Sequence, residues 1–158
     1  MKRLLLLLLL LTGCGLQPGQ ETSYPCVAWK TLTGFPCPNT KSSSVPIPAE
    51  VKSLDGQRLQ LSGYIVPLEM EGTRTQSFLL VRDQMLCCFG KMPALNEWVF
   101  VEFPKGAGQE LQPDKPLVVS GRFRAREEKE KGVVLSLYRM EAEKVEVLQG
   151  TPKDWKAS

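Results

Sequence analysis

Sulfur is the main source of chemistry in this chain of 158 residues, which contains five cysteines, five methionines and no histidine. Without an imidazole there is no histidine general base, no Ser–His or Cys–His pair and no histidine metal ligand. The adjacent pair Cys87 and Cys88, with Met85 and Met92 close by, is therefore the candidate site. No complete catalytic constellation accompanies it, so we predict no catalytic residues and no enzymatic activity.

Three states are open to the Cys87–Cys88 pair. A bond between the two would be strained and easily reduced, because adjacent Cα atoms lie about 3.8 Å apart and disulfides usually span roughly 4.4–6.8 Å. Alternatively, each could pair with Cys26 or Cys37, and four cysteines allow three connectivities. Reduced thiols could instead bind a soft metal, either Cu(I) with the two methionines or zinc with four cysteines. The sequence leaves these alternatives open.

The N-terminus has the features of an export signal. Met1-Lys2-Arg3 is positively charged, and residues 4–11 are eight leucines. Eight helical residues cover about 12 Å, far less than the roughly 30 Å hydrocarbon core of a bilayer, so the run is typical of a signal peptide.

The end of this signal, Leu11-Thr12-Gly13-Cys14, resembles the bacterial lipobox. In such precursors residues 1–13 are removed and the cysteine receives acyl chains such as palmitate, which anchor the protein stably. The resemblance implies lipidation at Cys14 and a place in the cell envelope, outside the cytoplasm. Gly15, where sorted lipoproteins can carry Asp, favours the outer membrane facing the periplasm in a Gram-negative host.

The remaining chain divides into three parts. Residues 14–45 are rich in Pro, Gly and Ser and predict a tether, residues 46–148 predict one domain, and residues 149–158 form a polar tail. Within the tether three apolar residues recur at every third position and predict a segment docked on the domain, closed by a Cys26–Cys37 disulfide. These residues are Trp29, Leu32 and Phe35.

The sequence of the domain predicts an all-β fold. The predicted architecture is a small five-stranded OB-like antiparallel barrel with a short N-terminal helix over residues 47–54. Gly63 lies where the apolar alternation changes face, which indicates a bend. Residues 127–132 predict a charged turn, and residues 143–147 predict an extension of the last strand. The five predicted strands are residues 58–68, 77–82, 97–103, 117–126 and 133–140.

Residues 47–148 resemble a family of bacterial exported proteins and lipoproteins whose domain has no known function. Its most specific piece is Cys87-Cys88-Phe89-Gly90 followed by Asn96-Glu97. Similar envelope proteins lie near zinc-regulated transport genes, so the resemblance implies metal handling and an envelope transport system as partner. It implies no established activity.

The charge balance predicts no nucleic-acid partner. The formal net charge is +3, and removing Lys2 and Arg3 with the signal leaves 18 basic against 17 acidic residues. Three hypotheses follow: a lipid-anchored, non-enzymatic binding module; a soft-metal (zinc or copper) binding or delivery protein acting through Cys87 and Cys88; and a thiol-redox protein.

Overall fold

A computed structural model describes residues 23–37, 44–69, 72, 74–84, 93–110, 112 and 114–150. The described part of the chain is mostly β, with two short helices. The elements are α1 (Trp29–Thr33), α2 (Ala49–Lys52), β1 (Arg58–Pro67), β2 (Arg74–Thr75), β3 (Ser77–Val81), β4 (Trp98–Glu102), β5 (Gln109–Glu110), β6 (Leu117–Glu130) and β7 (Val133–Val147).

Five strands form one mixed sheet, in the order β1-β3-β4-β7-β6, that closes on itself as a barrel. Strand β1 closes the ring by changing partner, since its first half pairs with β6 and its second half pairs with β3. Gly63 is the last residue of the first half, and a Cβ placed there would lie 2.6 Å from the backbone oxygen of Val81. Only glycine allows this close approach, and the residue at which the sequence predicts a bend is the residue at which β1 changes partner.

The prediction of a wholly antiparallel barrel is wrong at one contact. β4 and β7 run parallel, with Phe100 opposite Arg139. The reason is topological: strand direction cannot alternate around a closed ring with an odd number of strands, so one neighbouring pair must be parallel.

The last hairpin is longer than predicted. Residues 127–130 belong to β6 rather than to a turn, and the turn consists of Lys131 and Gly132, with φ of 48° and 80°. Two left-handed residues match the twist of a hairpin. The charged residues before the turn suggested a loop, but they lie on strand ends that reach into solvent. β7 continues to Val147, as predicted for the extension.

Residues 23–37, here called the N-terminal strap, pack onto the barrel. Trp29 and Leu32 from α1 are 2% and 0% exposed and join the core cluster, so the predicted docking of these side chains is confirmed. Val51 of α2 is 1% exposed and joins the same cluster. The folded part of the chain therefore extends into the region predicted as a tether.

The strap also covers a strand edge. The backbone of Gln60 bonds to Val27 N and Pro25 O at 3.0 and 2.9 Å, on the first half of β1, where β3 is not paired. Unpaired strand edges favour aggregation, so this contact protects the sheet. In the described ranges, no helix is long and apolar enough to cross a bilayer.

Candidate functional site

A turn before β4 receives the C-terminal end of the strap. The Glu97 amide donates to Ala94 O at 2.9 Å, and the Ala94 amide donates to the Glu97 carboxylate at 2.8 Å. These reciprocal bonds close the turn, and Leu95 within it is 5% exposed. Glu97 thus acts as a local structural residue.

Asn96 fixes the strap to this turn. Its side chain is buried at 3% exposure, and its Nδ2 donates to Phe35 O at 3.0 Å. The side-chain amide replaces the hydrogen bond from water that the Phe35 carbonyl loses when it is buried. The Asn-Glu part of the sequence motif is therefore explained by the attachment of the strap.

Cys37 lies beside the same turn. Its thiol is half-buried and accepts hydrogen bonds from the backbone amides of Asn96 and Leu95. Burial raises the pKa of the Cys37 thiol; the two amides act in the opposite sense, and the Glu97 carboxylate adds to the increase. The protonated thiol, which is the weaker nucleophile, is therefore favoured at neutral pH.

Tyr138 connects the middle of the strap to the barrel interior. Its ring is fully buried, 5.6 Å from that of Phe123, and its hydroxyl donates to Leu32 O at 2.9 Å. Burial raises the pKa of Tyr138 well above its ordinary value, and the nearby Cys37 acts in the same direction. The hydroxyl therefore stays neutral and holds the end of α1.

The sequence-predicted sulfur residues are only partly located. Cys26 is exposed, at the strap's contact with Gln60. Cys37 carries a free thiol, so the expected Cys26–Cys37 disulfide is not present among the described residues. Cys14, Met85, Cys87, Cys88 and Met92 lie outside the described residues. In the described part, no three of His, Cys, Asp and Glu are grouped to hold a metal.

The hydrogen bonds of Cys37 nevertheless lead along the chain toward the predicted Cys87–Cys88 pair. The described chain resumes at Pro93 after the segment that carries Cys87 and Cys88, and Leu95 and Asn96 follow at once. Cys37 is thus hydrogen-bonded to the end of the connection that contains the other two thiols.

A row of outward side chains, called here the outer row, crosses the ring and was not predicted from the sequence. Its members are direct cross-strand neighbours and half-buried; they are Val66, Leu79, Phe100, Arg139 and Arg124. The apolar pattern on both faces of β4 was the available signal, but only the register places these residues in one row.

Arg139 is the central polar group of the outer row. Its guanidinium lies 4.6 Å from the centroid of Phe100 and bonds to Glu128 at 2.6 Å, with Glu102 at 3.7 Å. Its Nε is buried and has no hydrogen-bond partner. A buried donor without an acceptor costs free energy, so a ligand oxygen that reached the Nε after a movement of the covering side chains would be stabilising.

A cleft of about 560 Å³ lies elsewhere, between residues 44–47 and the middle of β6. Glu127 borders it, accepting bonds from Lys129 at 2.8 Å, Ser44 Oγ at 3.0 Å and the Val45 amide. These donors, Lys129 first, lower the pKa of Glu127 to about 2. Its carboxylate joins residues 44–45 to the barrel.

Comparison with known proteins identifies the family. The model of DUF3299, described as a protein of unknown function, matches residues 38–147. The chain belongs to the DUF3299 family. A crystal structure of a DUF3299 family protein from Pseudomonas aeruginosa PAO1 is similar, with 25% sequence identity and a TM-score of 0.61, covering 82% of this chain and 99% of that one. No curated protein matches this DUF3299 chain.

Proposed function

We propose that this DUF3299 protein is a lipid-anchored, non-enzymatic binding module of the bacterial envelope, built on an OB-like barrel. Numbering the ring strands along the chain gives the order first, second, third, fifth, fourth. OB barrels are five-stranded Greek-key barrels that bind ligands on the face of their second and third strands. Those strands are β3 and β4 here, and both contribute to the outer row.

The unpaired Nε of Arg139 beside Phe100 is the observation that supports binding at the outer row. The main buried polar side chains of the strap attachment, Tyr138 and Asn96, are already bonded to backbone carbonyls. They therefore serve the scaffold, whereas the outer row offers apolar area and a donor that lacks an acceptor, although its neighbours cover that donor in this structure. A partner protein with an apolar side chain and a carbonyl or carboxylate oxygen would suit it, and a component of an envelope transport system is our proposed partner.

The lipid anchor is tested by the mass of the mature N-terminus and by partition into a detergent phase. We expect an acylated N-terminal Cys14 and loss of partition in Cys14→Ser, with Cys26→Ser as the matched control. A wild-type chain that stays in the aqueous phase with an unmodified N-terminus would contradict the anchor.

Partner binding is tested by photo-crosslinking in envelopes of the host. A crosslinking side chain at Leu79 should give an adduct that disappears in Arg139→Ala, because Arg139 lies in the same row. The same probe at Lys144, an exposed residue of β7, is the control. Equal adducts from both positions, or adducts unaffected by Arg139→Ala, would count against the outer row.

A second candidate function is soft-metal binding, zinc or Cu(I), by Cys87 and Cys88 with Cys37. The hydrogen bonds between Cys37 and the end of the connection favour it. The raised pKa of Cys37 means that metal must displace a proton there, so affinity should fall as the pH falls. Stoichiometric metal lost in Cys37→Ser and in the double Cys87→Ser, Cys88→Ser variant, but retained in Cys26→Ser, would support it.

The metal experiment also tests the two methionines. Replacing Met85 and Met92 with Leu should weaken the binding of Cu(I), whereas it should not weaken the binding of zinc by thiolates. Purified protein without bound metal, both before and after incubation with excess zinc or Cu(I), would exclude this function.

Thiol-redox chemistry is the less favoured alternative. A raised thiol pKa at Cys37 disfavours a reactive thiolate, and thiolates are the species that attack disulfides. Titrating thiols before and after mild reductant separates the cases: a labile bond that opens would support redox chemistry, and an unchanged thiol count would oppose it.

A further inference from the structure

The strap has attachments along most of its length. At its start, the Tyr24 hydroxyl donates to Glu143 at 2.6 Å, and the backbone of residues 25–27 bonds to Gln60. In its middle, Trp29 Nε1 donates to Ser62 O at 2.6 Å within the buried core contact. At its end, Asn96 holds Phe35. A segment held at its start, middle and end does not act as a free spacer.

This attachment shortens the chain between the proposed anchor and the barrel. From residue 14 to residue 46 an extended chain could span about 110 Å, at roughly 3.3–3.6 Å per residue. With the strap docked, only the step from residue 14 to residue 23 remains, and it spans at most about 30 Å. A chain of this reach keeps the barrel beside the membrane.

We propose that the strap is a standoff device that keeps the barrel within about 30 Å of the lipid surface, with the Tyr24–Glu143 side nearest to it. The inference rests on the proposed lipid anchor at Cys14. It places the barrel within reach of proteins that are embedded in, or lie on, the same membrane.

The charges of this side fit an anchor that works by its lipid alone. Arg58 pairs with Glu143 at 3.0 Å, and Lys144 pairs with Glu146 at 3.0 Å. Paired charges give little attraction to anionic lipids, in contrast to polybasic segments. The lipid surface is therefore held at a distance that the chain length sets, and it is not bound by the barrel itself.

The test inserts the same 20-residue Gly/Ser spacer at two places in the full lipidated protein. One insertion lies between Gly19 and Gln20, before the strap, and the other between Asn39 and Thr40, after it. Such a spacer adds about 25 Å in root-mean-square length. Both are compared with the parent chain in vesicles that carry an energy acceptor on their lipids, with Trp155→Phe so that Trp29 and Trp98 are the donors.

If the strap is docked, the two insertions should change energy transfer by different amounts. The first should lower energy transfer roughly twofold or more, since a spacer of this length about doubles the separation, and the second should leave it unchanged. Equal decreases from both would overturn the standoff role while the anchor stands. Vesicle flotation is read in parallel: a parent chain that does not float would refute the anchor, and the standoff with it.

Discussion

The strap and the barrel it covers are stabilised in different ways. Each barrel strand pairs with two neighbouring strands, and the inward side chains form one continuous cluster. The strap has one short helix and a single backbone bridge to β1. It is held by two deeply buried side chains and by a few hydrogen bonds between side chains and carbonyls.

This difference means that the strap contacts can be removed one at a time, whereas the strands depend on one another. Native proteins open locally in units of unequal stability. We therefore expect the strap to be a separate unit, less stable than the ring. Three experiments test this expectation, beginning with the largest effect, and a fourth tests the bonds that join Glu127 to residues 44–45.

Deleting the whole strap should have the largest effect. A chain that starts at residue 46 loses Trp29 and Leu32, and truncation of buried residues of this size costs roughly 2–5 kcal/mol each. The total is comparable with the stability of a typical domain, about 5–15 kcal/mol. We expect the chain that starts at 46 to unfold at a much lower temperature than one that starts at 23, because the ring keeps its strand pairings but loses these core contacts. Equal unfolding midpoints would show that the strap is dispensable.

Equivalent leucines in the two regions provide a sharper comparison. Leu32 in the strap and Leu80 in β3 are both 0% exposed. Leu80→Ala should cost about 2–5 kcal/mol of global stability and reduce amide protection throughout the ring. Leu32→Ala should mainly accelerate exchange at Val27 and Gln60, whose amides join the strap to β1. Hydrogen exchange measures both, and a uniform loss in Leu32→Ala would make strap and ring one unit.

Removing a single hydroxyl should have a smaller effect. Tyr138→Phe leaves Leu32 O buried without its donor, which costs about 1–3 kcal/mol. Tyr24→Phe is the matched control, because the Tyr24 hydroxyl bonds to Glu143 in an exposed position, where water replaces the lost partner. Denaturant unfolding should rank the Tyr138 variant below the Tyr24 variant. The opposite order would mean that the start of the strap is its stronger attachment.

The pH dependence of Glu127 should be the smallest effect. Its folded pKa of about 2 lies below its ordinary value of 4.5, so its contribution is present above pH 4.5 and is lost as the pH falls toward 2. The difference in melting temperature between the wild type and Glu127→Gln should shrink over that range. Glu130→Gln, at the exposed end of the same strand, is the control. A difference that is constant with pH would contradict the bonds to residues 44–45.

Alternating apolar residues made most of the barrel predictable. All five strands of the ring were anticipated, because inward positions such as Leu61, Val99 and Val119 alternate with outward ones. The ends of β6 were not, since Glu127 and its charged neighbours show no apolar alternation. The parallel pair follows from the odd number of strands in a closed ring. The local alternation of apolar residues carries no information about this number or about closure.

The candidate site was less predictable because its contacts join distant parts of the chain. The spacing of Trp29 and Leu32 indicated docking, but nothing local indicates that Asn96 bonds to Phe35, which is 61 residues away. From the sequence, Cys37 was a candidate site residue only because it is a cysteine. Its two amide donors and its buried setting depend on how the strap lies against the turn before β4.

The parallel contact of β4 with β7 has a consequence for synthesis. β7 is the last strand made, and it supplies two of the five strand pairings, with β4 and with β6. A chain that leaves the ribosome from its N-terminus cannot complete the ring until residues near 140 have emerged. The four earlier strands of the ring are thus produced before the barrel can close, which leaves them open to binding by chaperones until β7 follows.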